Sequence, residues 1–463
     1  MSHRFHPTIL REYDMRGVVG ETLFEADARA LGRSFATVLR RAGGRRIAVG
    51  RDGRTSSPML ESALVVGLVA GGVDVVRIGI GPSPMLYYAE AVLDVDGGIH
   101  VTGSHNPKQD NGFKMVLQRR AFFGEDIQTL AGLAASGDWL EGRGTVTDVE
   151  ICGDYVRRLM AGYGGGAYRI GWDCGNGAAG PAVETLARVL PGEHHLLFTD
   201  IDGDFPNHHP DPTIEANLAD LKALVAREGL DFGLAFDGDG DRIAAVDARG
   251  RTIWGDQILG ILAEPLLREL PGATIVADVK SGQALFDRIA ELGGTPLMWK
   301  TGHATLKSKM LETGAPLAGE MSGHLFFAQD YYGFDDALYA AVRLIRAVHL
   351  SGRSLTELVD AMPAVERTPD LRIPVAETRT VAIVADVRDR LIAQGVAVDE
   401  TDGVRVTSDT GWWLLRASNT QGALTVRAEA ADRPALLRLL GEVEASLGDN
   451  GIDISLSGLL APT

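Results

Sequence analysis

Cysteine and long apolar runs are both scarce in this sequence. Its 463 residues include two cysteines, Cys152 and Cys174, too few for a disulfide framework, so a reducing compartment is expected. The longest apolar run, 63–73, is far shorter than a membrane span and is interrupted by glycines. The first residues lack the apolar core of a secretion signal. We therefore expect a cytoplasmic protein with no membrane partner.

Positive charge is also in short supply. Lysine and arginine number 45 against 62 aspartates and glutamates, which leaves a formal net charge of −17 at pH 7. Binding to nucleic acid requires a basic field over much of one face, so the composition argues against nucleic acid as the main partner. A small anionic substrate would have to be held by locally clustered basic side chains.

The rest of the composition is that of an ordinary globular protein, with 45% hydrophobic and 23% charged residues. A chain of this length exceeds what one hydrophobic core organises, so several domains are expected. From residue 45 to about 362, short β-branched runs alternate with amphipathic stretches, a pattern that predicts βαβ units. After Pro363 the pattern changes to a helix, three strands and a second helix.

We predict an α/β protein in which three similar α/β domains with mixed, largely parallel sheets precede a C-terminal α+β domain around a central cleft. The predicted domains are 1–150, 151–253, 254–366 and 367–463. Ligands of such sheets gather at the carboxyl ends of strands. One polar loop follows a predicted strand in each domain, and these loops are 102–107, 237–242, 319–324 and 416–422. This spacing favours one cleft lined by all four domains.

The second loop contains three aspartates that alternate with glycines, Asp237, Asp239 and Asp241. Alternate residues of an extended segment project to one side, so the carboxylates would converge and require a hard cation such as Mg²⁺. An EF-hand is excluded because its sixth and twelfth positions would be Arg242 and Ala248. A solvated acidic turn is the alternative. A Mg²⁺ site leaves room for a phosphate oxygen, which favours phosphoryl chemistry.

The first loop contains Ser104 within Thr-Gly-Ser-His-Asn-Pro. A simple polar turn is the commoner role of such a segment. The segment departs from the G-x-S-x-G elbow of α/β-hydrolases, which leaves a serine hydrolase as a weak rival. Lys114 follows closely and offers an ammonium for proton transfer at a substrate hydroxyl, although a surface lysine at the start of a strand is the alternative.

Five motifs occur in a characteristic order along the whole chain. They are Tyr13-Asp14-Met15-Arg16-Gly17, the loops 102–107, 237–242 and 319–324, and Arg416-Ala417-Ser418-Asn419-Thr420. This order resembles that of the α-D-phosphohexomutase family, and within it the bacterial phosphomannomutase/phosphoglucomutase branch. The resemblance implies four domains around a central cleft.

The resemblance also implies a reaction. Ser104 is expected to be a phosphoserine whose phosphate joins Asp237, Asp239 and Asp241 around one Mg²⁺ per active site. The enzyme would be an isomerase that reversibly converts a hexose 1-phosphate into a hexose 6-phosphate. Phosphate would pass from Ser104 to the free hydroxyl to form a hexose 1,6-bisphosphate, and the other phosphate would return to Ser104 after the intermediate turns around.

The remaining site residues are assigned by the same resemblance. Lys114 is expected to handle the proton, with Arg16 as a charge stabiliser and His324 as an acid/base partner. Glu320 and Ser322 match positions that hold sugar hydroxyls. The expected substrate contacts, including those to the non-reacting phosphate, are Tyr13, Arg242, Lys280, His303, Glu320, Ser322, Arg416, Ser418, Asn419, Thr420 and Arg427.

The expected partners are phosphosugars. Mannose and glucose rank ahead of glucosamine because Met321 stands where phosphoglucosamine mutases have glutamine. The rival functions are a phosphatase that uses the same metal loop and a non-catalytic phosphosugar-binding protein. Ser104, the three aspartates and Lys114 argue against the binding protein. The sequence does not fix the oligomeric state, and a monomer is favoured.

Overall fold

The first sheet carries the loop that contains Ser104. The computed structural model describes residues 2–418 and 422–459. The strands of this sheet are β1 (Met15–Val18), β2 (Arg46–Arg51), β3 (Asp74–Ile80), β4 (Gly97–Val101), β5 (Asp110–Leu117), β6 (Arg120–Ala121) and β7 (Val146–Asp148). Its helices are α1 (Glu25–Arg41), α2 (Ser57–Ala70), α3 (Ser83–Val92) and α4 (Glu125–Ser136). The order is β1-β5-β4-β2-β3-β7, with β6 beside β5, so the loop after β4 leaves the middle of the sheet.

The second sheet carries the aspartate loop. Its strands are β8 (Tyr168–Asp173), β9 (Gly192–Leu197), β10 (Phe232–Phe236), β11 (Ile243–Asp247) and β12 (Thr252–Ile253). The accompanying helices are α5 (Cys152–Met160), α6 (Gly180–Val189) and α7 (Ala219–Glu228). Strand β8 pairs in parallel with β9 and β10, whereas β11 is antiparallel to β10. Every residue of β10 is buried, and the strand ends directly before Asp237.

The third sheet carries the loop 319–324. Its strands are β13 (Thr274–Asp278), β14 (Thr295–Trp299), β15 (Leu317–Gly319) and β16 (Leu325–Phe327). Its helices are α8 (Gly255–Glu269), α9 (Gln283–Glu291), α10 (His303–Thr313), α11 (Ala337–Ser351) and α12 (Leu355–Asp360). Strand β13 pairs in parallel with β14 and β15, and β16 returns antiparallel to β15.

The fourth sheet is antiparallel throughout. Its strands are β17 (Glu366–Arg367), β18 (Leu371–Pro374), β19 (Val404–Ser408), β20 (Gly411–Ala417) and β21 (Ala423–Ala430), and its helices are α13 (Glu377–Ala393) and α14 (Arg433–Gly448). The helix, three strands and second helix predicted after Pro363 are α13, β19, β20, β21 and α14. Strand β17 also spans the predicted boundary at 366/367, and all the predicted domain boundaries stay predictions.

The predicted fold class is confirmed, because three sheets of mixed direction precede an α+β unit. One large core joins the second and third sheets with α3, and Trp172 and Leu338 belong to it. The fourth sheet has a core of its own around Trp413 and Leu440. In the described ranges no helix is both long and apolar enough to cross a membrane. Cys174 is buried and Cys152 half-buried, and both are free thiols.

Candidate active site

Ser104 occupies an unusual backbone conformation at the end of β4. Its φ is +49°, in the left-handed region, and the residue is 2% exposed. The Ser104 hydroxyl donates to Asp237 Oδ2 at 2.9 Å, and its Oγ lies 3.1 Å from the Nδ1 of His105. A turn therefore aims the hydroxyl at the first aspartate of the loop that follows β10.

Arg54 is hydrogen-bonded to the backbone of the Ser104 loop. Its Nη2 donates to the carbonyl oxygens of Ser104 and Asn106, each at 2.6 Å. Its Nη1 donates to the carbonyls of Pro107 at 2.6 Å and Asp110 at 2.9 Å. One buried guanidinium thus donates to four carbonyl groups of a tight loop, and the Pro107 carbonyl also accepts from the Asp110 N–H at 2.9 Å.

Asp52 completes this support. Its Oδ2 accepts from the backbone N–H of Gly103 at 3.1 Å, and its Oδ1 accepts from the Ser57 hydroxyl at 2.5 Å. A Cβ at Gly103 would stand 2.4 Å from the Arg54 guanidinium. Glycine is therefore needed at position 103, because the Arg54 side chain leaves no room for a Cβ there.

The three aspartates converge in a turn. Asp237, Asp239 and Asp241 are fully buried, and each offers an oxygen within 4.8 Å of the others. The Gly240 N–H donates to the Asp237 carbonyl at 3.1 Å, and Gly240 has a φ of +71°. The predicted convergence is confirmed, and the backbone of this segment is a turn at Gly240 rather than an extended strand.

Lys114 lies between two of these carboxylates. Its ammonium donates to Asp239 Oδ2 at 2.7 Å and to Asp241 Oδ2. Burial alone would lower the pKa of Lys114, but Asp239 and Asp241 raise it well above its usual value. Lys114 is buried inside β5, so the surface lysine considered from the sequence is excluded.

The aspartates have capacity left for a cation. Asp239 Oδ1 and Asp241 Oδ1 are buried and have no hydrogen-bond partner in the part of the chain that the structure describes. Burial, reinforced by Asp241 and Asp239, raises the pKa of Asp237 well above its usual value. Lys114 lowers the pKa of Asp239 even though burial alone would raise it. The donor set therefore fits a divalent cation, which would take the unpartnered oxygens.

His324 is held by a chain of polar contacts. Its Nδ1 lies 3.0 Å from Asp335 Oδ2, and its Nε2 accepts from Arg242 Nε at 2.9 Å. Because Nε2 accepts, the ring proton resides on Nδ1 and is donated to Asp335. Lys307 Nζ lies 2.7 Å from Asp335 Oδ1. Burial alone would raise the pKa of Asp335, but Lys307 and His324 lower it well below its usual value.

A second group of potential metal ligands overlaps this chain of contacts. Asp241, His324 and Asp335 offer atoms within 4.8 Å of one another. The Lys307 ammonium is already paired with one carboxylate oxygen of Asp335, and the His324 Nδ1 proton is donated to the other. This group is therefore better described as a link between the aspartate loop and His324 than as a metal site.

The loop 319–324 gathers the predicted sugar contacts. Ser322 Oγ donates to Glu320 Oε2 at 3.3 Å, and both residues are buried. His303 stacks on His324 with ring centroids 5.7 Å apart, and Tyr13 packs edge-on against His303. Residues from the first and third sheets thus meet at one place.

Arg16 approaches from the strand beside Lys114. Its Nη1 donates to Asn106 Oδ1 at 2.6 Å, and its Nη2 donates to Asp14 Oδ2 at 2.5 Å. Strand β1 pairs with β5, with Arg16 opposite Gly112. The guanidinium therefore lies against the Ser104 loop.

The predicted contacts of the fourth domain lie on and after β20. Arg416 and Arg427 are buried, and the Ser418 N–H donates to the Ala423 carbonyl at 2.9 Å. The Lys280 ammonium donates to Oδ2 of Asp370, the residue before β18 of this domain, at 2.9 Å. Asn419 and Thr420 lie outside the described residues.

Sequence reasoning missed several supporting residues of the site. They are Asp52, Arg54, Lys307, Asp335 and Asp402, the last of which accepts from Arg416. Asp52 and Arg54 follow β2 directly, so the rule that polar residues gather after strands could have found them. Lys307 lies inside helix α10, where a lysine carries no such signal.

Four family models match the chain in order. Their descriptions are Phosphoglucomutase/phosphomannomutase, alpha/beta/alpha domain I (residues 7–138), domain II (158–250) and domain III (254–365), and the C-terminal domain (371–446). These matches together account for most of the chain.

Individual relatives agree with the family models. A phosphomannomutase/phosphoglucomutase of Pseudomonas aeruginosa is 42% identical over 434 residues, which cover 93% of this chain and 94% of the relative. A phosphoglucomutase of Neisseria meningitidis is 38% identical over 448 residues, which cover 96% and 97%. The crystal structure of a phosphoglucomutase/phosphomannomutase family protein from Burkholderia thailandensis has a TM-score of 0.92 at 40% identity, covering 97% of this chain and 99% of that chain. The chain belongs to the phosphoglucomutase/phosphomannomutase family, a family of isomerases that interconvert hexose phosphates.

Proposed function

We propose that Ser104 carries a phosphoryl group and that the chain uses it to interconvert hexose 1-phosphates and hexose 6-phosphates through a hexose 1,6-bisphosphate. The observation that carries this proposal is the 2.9 Å contact between Ser104 Oγ and Asp237 Oδ2, beside three converging buried carboxylates. Family membership supports the reaction class. The contacts of individual residues support the roles proposed for them.

The proposed metal ligands are Asp237, Asp239, Asp241 and an oxygen of the phosphate on Ser104. The unpartnered oxygens of Asp239 and Asp241 support this set, since Mg²⁺ prefers carboxylate oxygens and leaves room for phosphate. One bound Mg²⁺ would neutralise the charge that spreads over the phosphoryl oxygens during transfer.

The proposed first step transfers the phosphoryl group to the sugar. A substrate hydroxyl oxygen attacks phosphorus, the bond from phosphorus to Ser104 Oγ breaks, and the hydroxyl proton passes to His324 Nε2. The Lys114 ammonium gives a proton to the departing Ser104 Oγ. After the bisphosphate turns around, Ser104 attacks the other phosphate, its proton returns to Lys114, and His324 protonates the leaving sugar oxygen.

The contacts of His324 and the pKa of Lys114 support this division of proton transfer. The bond from His324 Nδ1 to Asp335 leaves Nε2 as the basic nitrogen, which the hydroxyl would reach once Arg242 shifts to the substrate. The raised pKa of Lys114 suits an ammonium that donates or stabilises charge better than a neutral base. The proposal thus assigns the sugar proton to His324.

The remaining contacts are proposed to hold the substrate. Glu320 and Ser322 would accept from and donate to two sugar hydroxyls, while Tyr13 and His303 pack around the sugar. Arg16 would stabilise charge on the transferring phosphoryl group, because it lies against the Ser104 loop. The groups proposed to bind the non-reacting phosphate and line its side of the cleft are Arg242, Lys280, Arg416, Ser418, Asn419, Thr420 and Arg427.

The preferred substrates are proposed to be mannose and glucose phosphates. The curated relatives bear the names phosphomannomutase/phosphoglucomutase and phosphoglucomutase, and Met321 is buried next to Glu320. Glucosamine 1-phosphate is ranked lower. Steady-state rates with the three sugar 1-phosphates would establish the order.

The decisive experiment follows both the sugar and the free phosphate. The parent chain should convert glucose 1-phosphate or mannose 1-phosphate into the 6-phosphate, with a trace of bisphosphate as activator and no stoichiometric phosphate release. Ser104→Ala should lose turnover but still bind the sugar phosphate, whereas Ser62→Ala, on an exposed helix face, should behave like the parent. Net phosphate release would favour the phosphatase, and a fully active Ser104→Ala would refute the phosphoserine.

We also propose phosphosugars as the partners, a cytoplasmic location and a monomeric state. The net charge of −17 supports the absence of nucleic acid, and the two free thiols support a reducing compartment. Light scattering of the purified chain would test the monomer, and a mass near 49.3 kDa is expected.

A further inference from the structure

Thr301, in the third domain, is hydrogen-bonded through its backbone to two other domains. Tyr13 directly precedes the segment that leads into β1, and its hydroxyl donates to the Thr301 carbonyl at 2.8 Å. The Thr301 N–H donates to Oδ2 of Asp402, which precedes β19, at 3.0 Å. Thr301 therefore lies where the first, third and fourth sheets approach one another.

The same carboxylate oxygen holds Arg416. Arg416 Nε donates to Asp402 Oδ2 at 3.0 Å, and both side chains are largely buried. Arg416 Nη2 is buried and has no hydrogen-bond partner among residues 2–418 and 422–459. A bond at Nε fixes the plane of the guanidinium and leaves that nitrogen available.

The Thr301 segment also positions sugar contacts. The next N–H, that of Gly302, donates to Glu320 Oε1 at 2.5 Å, and the Thr301 hydroxyl donates to Asp278 Oδ2 at 3.3 Å. His303 follows at the start of α10 and stacks on His324. One short segment thus fixes the orientation of both Glu320 and His303.

We infer that Asp402 is a positioning residue that ties the phosphate-binding guanidinium of Arg416 to the Thr301 segment, so that the phosphate and the sugar are gripped in one fixed geometry. This inference rests on the proposed function, because it takes Arg416 as a ligand of the non-reacting phosphate. Asp402 acts through Arg416 and Thr301 and does not touch the substrate. A substrate whose two ends exchange places needs the same distance between the phosphate contact and the sugar contacts each time the fourth domain closes over it.

The alternative role of Asp402 is that of a competitor. In that role the Asp402 carboxylate, bound to Arg416, would occupy part of the phosphate site and be displaced by the substrate. The two roles predict opposite changes. Removal of a positioning carboxylate weakens binding of the sugar phosphate, whereas removal of a competitor strengthens it.

The test measures equilibrium binding of glucose 1-phosphate to the full chain by calorimetry, alongside kcat and KM. Asp402→Ala should weaken binding and raise KM about tenfold, the loss expected for one charge-assisted contact, with a much smaller change in kcat. Asp402→Asn, which can still accept from Thr301, should fall between Asp402→Ala and the parent. Asp409→Asn, which removes the same charge from an exposed turn of this domain, should match the parent.

A double-mutant cycle separates positioning from general damage. In an Arg416→Ala background, Asp402→Ala should weaken binding little further, because the two changes remove one interaction. Additive losses, unchanged binding in Asp402→Ala, or tighter binding would each overturn the inference. If Asp402→Ala fails to fold, the cycle is run with Asp402→Asn. A parent that binds glucose 1-phosphate without mutase turnover would refute the proposed reaction alone, since the binding cycle needs no turnover.

Discussion

Lys114 shows how one side chain can set the chemistry of a site. Three fully buried carboxylates repel one another, and the Lys114 ammonium lies against two of them. Removing one partner of a buried ion pair leaves an uncompensated charge, which costs about 3–5 kcal/mol. The stability of the aspartate loop and its affinity for a cation should therefore both depend on Lys114.

We predict that Lys114→Met lowers the unfolding temperature in the presence of a chelator and makes it rise steeply with Mg²⁺. The cation would then replace the missing ammonium. Lys114→Arg keeps the positive charge and should need far less Mg²⁺ for stability, although turnover should fall in both variants. Thermal unfolding with chelator and with Mg²⁺ measures this. Equal Mg²⁺ responses in the parent and Lys114→Met would show that lysine and cation do not share the site.

His100 is a residue whose effect should be visible in acid. It lies fully buried on β4, and neither ring nitrogen has a hydrogen-bond partner in the described ranges. Burial lowers its pKa from 6.5 to about 4. The unfolded chain therefore binds a proton at a higher pH than the folded chain does. Burial of the neutral His100 therefore costs no unfolding free energy through protonation above pH 6.5. As the pH falls from 6.5 toward 4, the unfolded chain takes up the proton first and the unfolding free energy decreases.

We predict that His100→Met reduces the loss of unfolding free energy between pH 6.5 and 4 by up to about 3 kcal/mol, the amount linked to a shift of this size. Urea unfolding at a series of pH values measures it. At pH 8 the histidine is neutral in both states, so the difference between parent and variant there reports packing alone. Parallel pH curves for the two proteins would contradict the prediction.

At the scale of elements, the sequence predicts the loops but not their supports. Ser104 and the three aspartates each lie in one short polar segment directly after an apolar strand, so local pattern finds them. Arg54 bonds to carbonyls that lie about fifty residues later in the chain. No local pattern encodes such a pair, because the fold brings its members together. The same holds for Asp402 and Thr301.

We predict that Arg54→Met lowers both stability and turnover. Four carbonyls of the loop would lose this donor. The Pro107 carbonyl keeps the Asp110 N–H, and each of the others that is left unsatisfied costs about 1–3 kcal/mol. Displacement of Ser104 by an ångström would reduce kcat by about a hundredfold. Arg54→Lys keeps the charge but cannot reach four carbonyls, so it should recover little. Kinetics and thermal unfolding measure both effects.

The matched control for this loop is Arg41→Met. Arg41 forms an exposed ion pair with Asp138, which contributes at most about 1 kcal/mol. Its substitution should leave kcat unchanged. If Arg54→Met matched Arg41→Met in both stability and kcat, the loop would not depend on Arg54.

At the scale of the whole molecule, the fourth domain is joined to the others differently from the first three. The first sheet has a core of its own but also contributes Ala48 and Val116 to the large core of the second and third sheets, whereas the core of the fourth sheet is separate from it. Its junction with the third sheet consists of a small apolar cluster of Val279, Trp412 and Leu414 and several polar bonds. The domain count is predictable from repeated patterns, but the weakness of this junction is visible only in the packing.

Arg405 is central to this junction. Its Nη1 donates to the carbonyls of Val279 at 2.6 Å and Ser281 at 3.1 Å, and its guanidinium lies 3.9 Å from the centre of the Trp412 ring. These contacts are few enough to break and reform. The bisphosphate of the proposed cycle, which must turn around without escaping, would require such a movable wall.

We therefore predict that the fourth domain rotates about this junction during turnover and that Arg405→Met loosens it. Small-angle scattering should show the radius of gyration of the parent falling toward the value of about 23 Å expected for a compact chain of this length when glucose 1,6-bisphosphate is added. Arg405→Met should start from a larger radius, show a larger decrease, and release more free bisphosphate per turnover. Arg438→Met, at an exposed position of α14, is the control. An unchanged radius in the parent with and without bisphosphate would mean that the intermediate turns inside a rigid cleft.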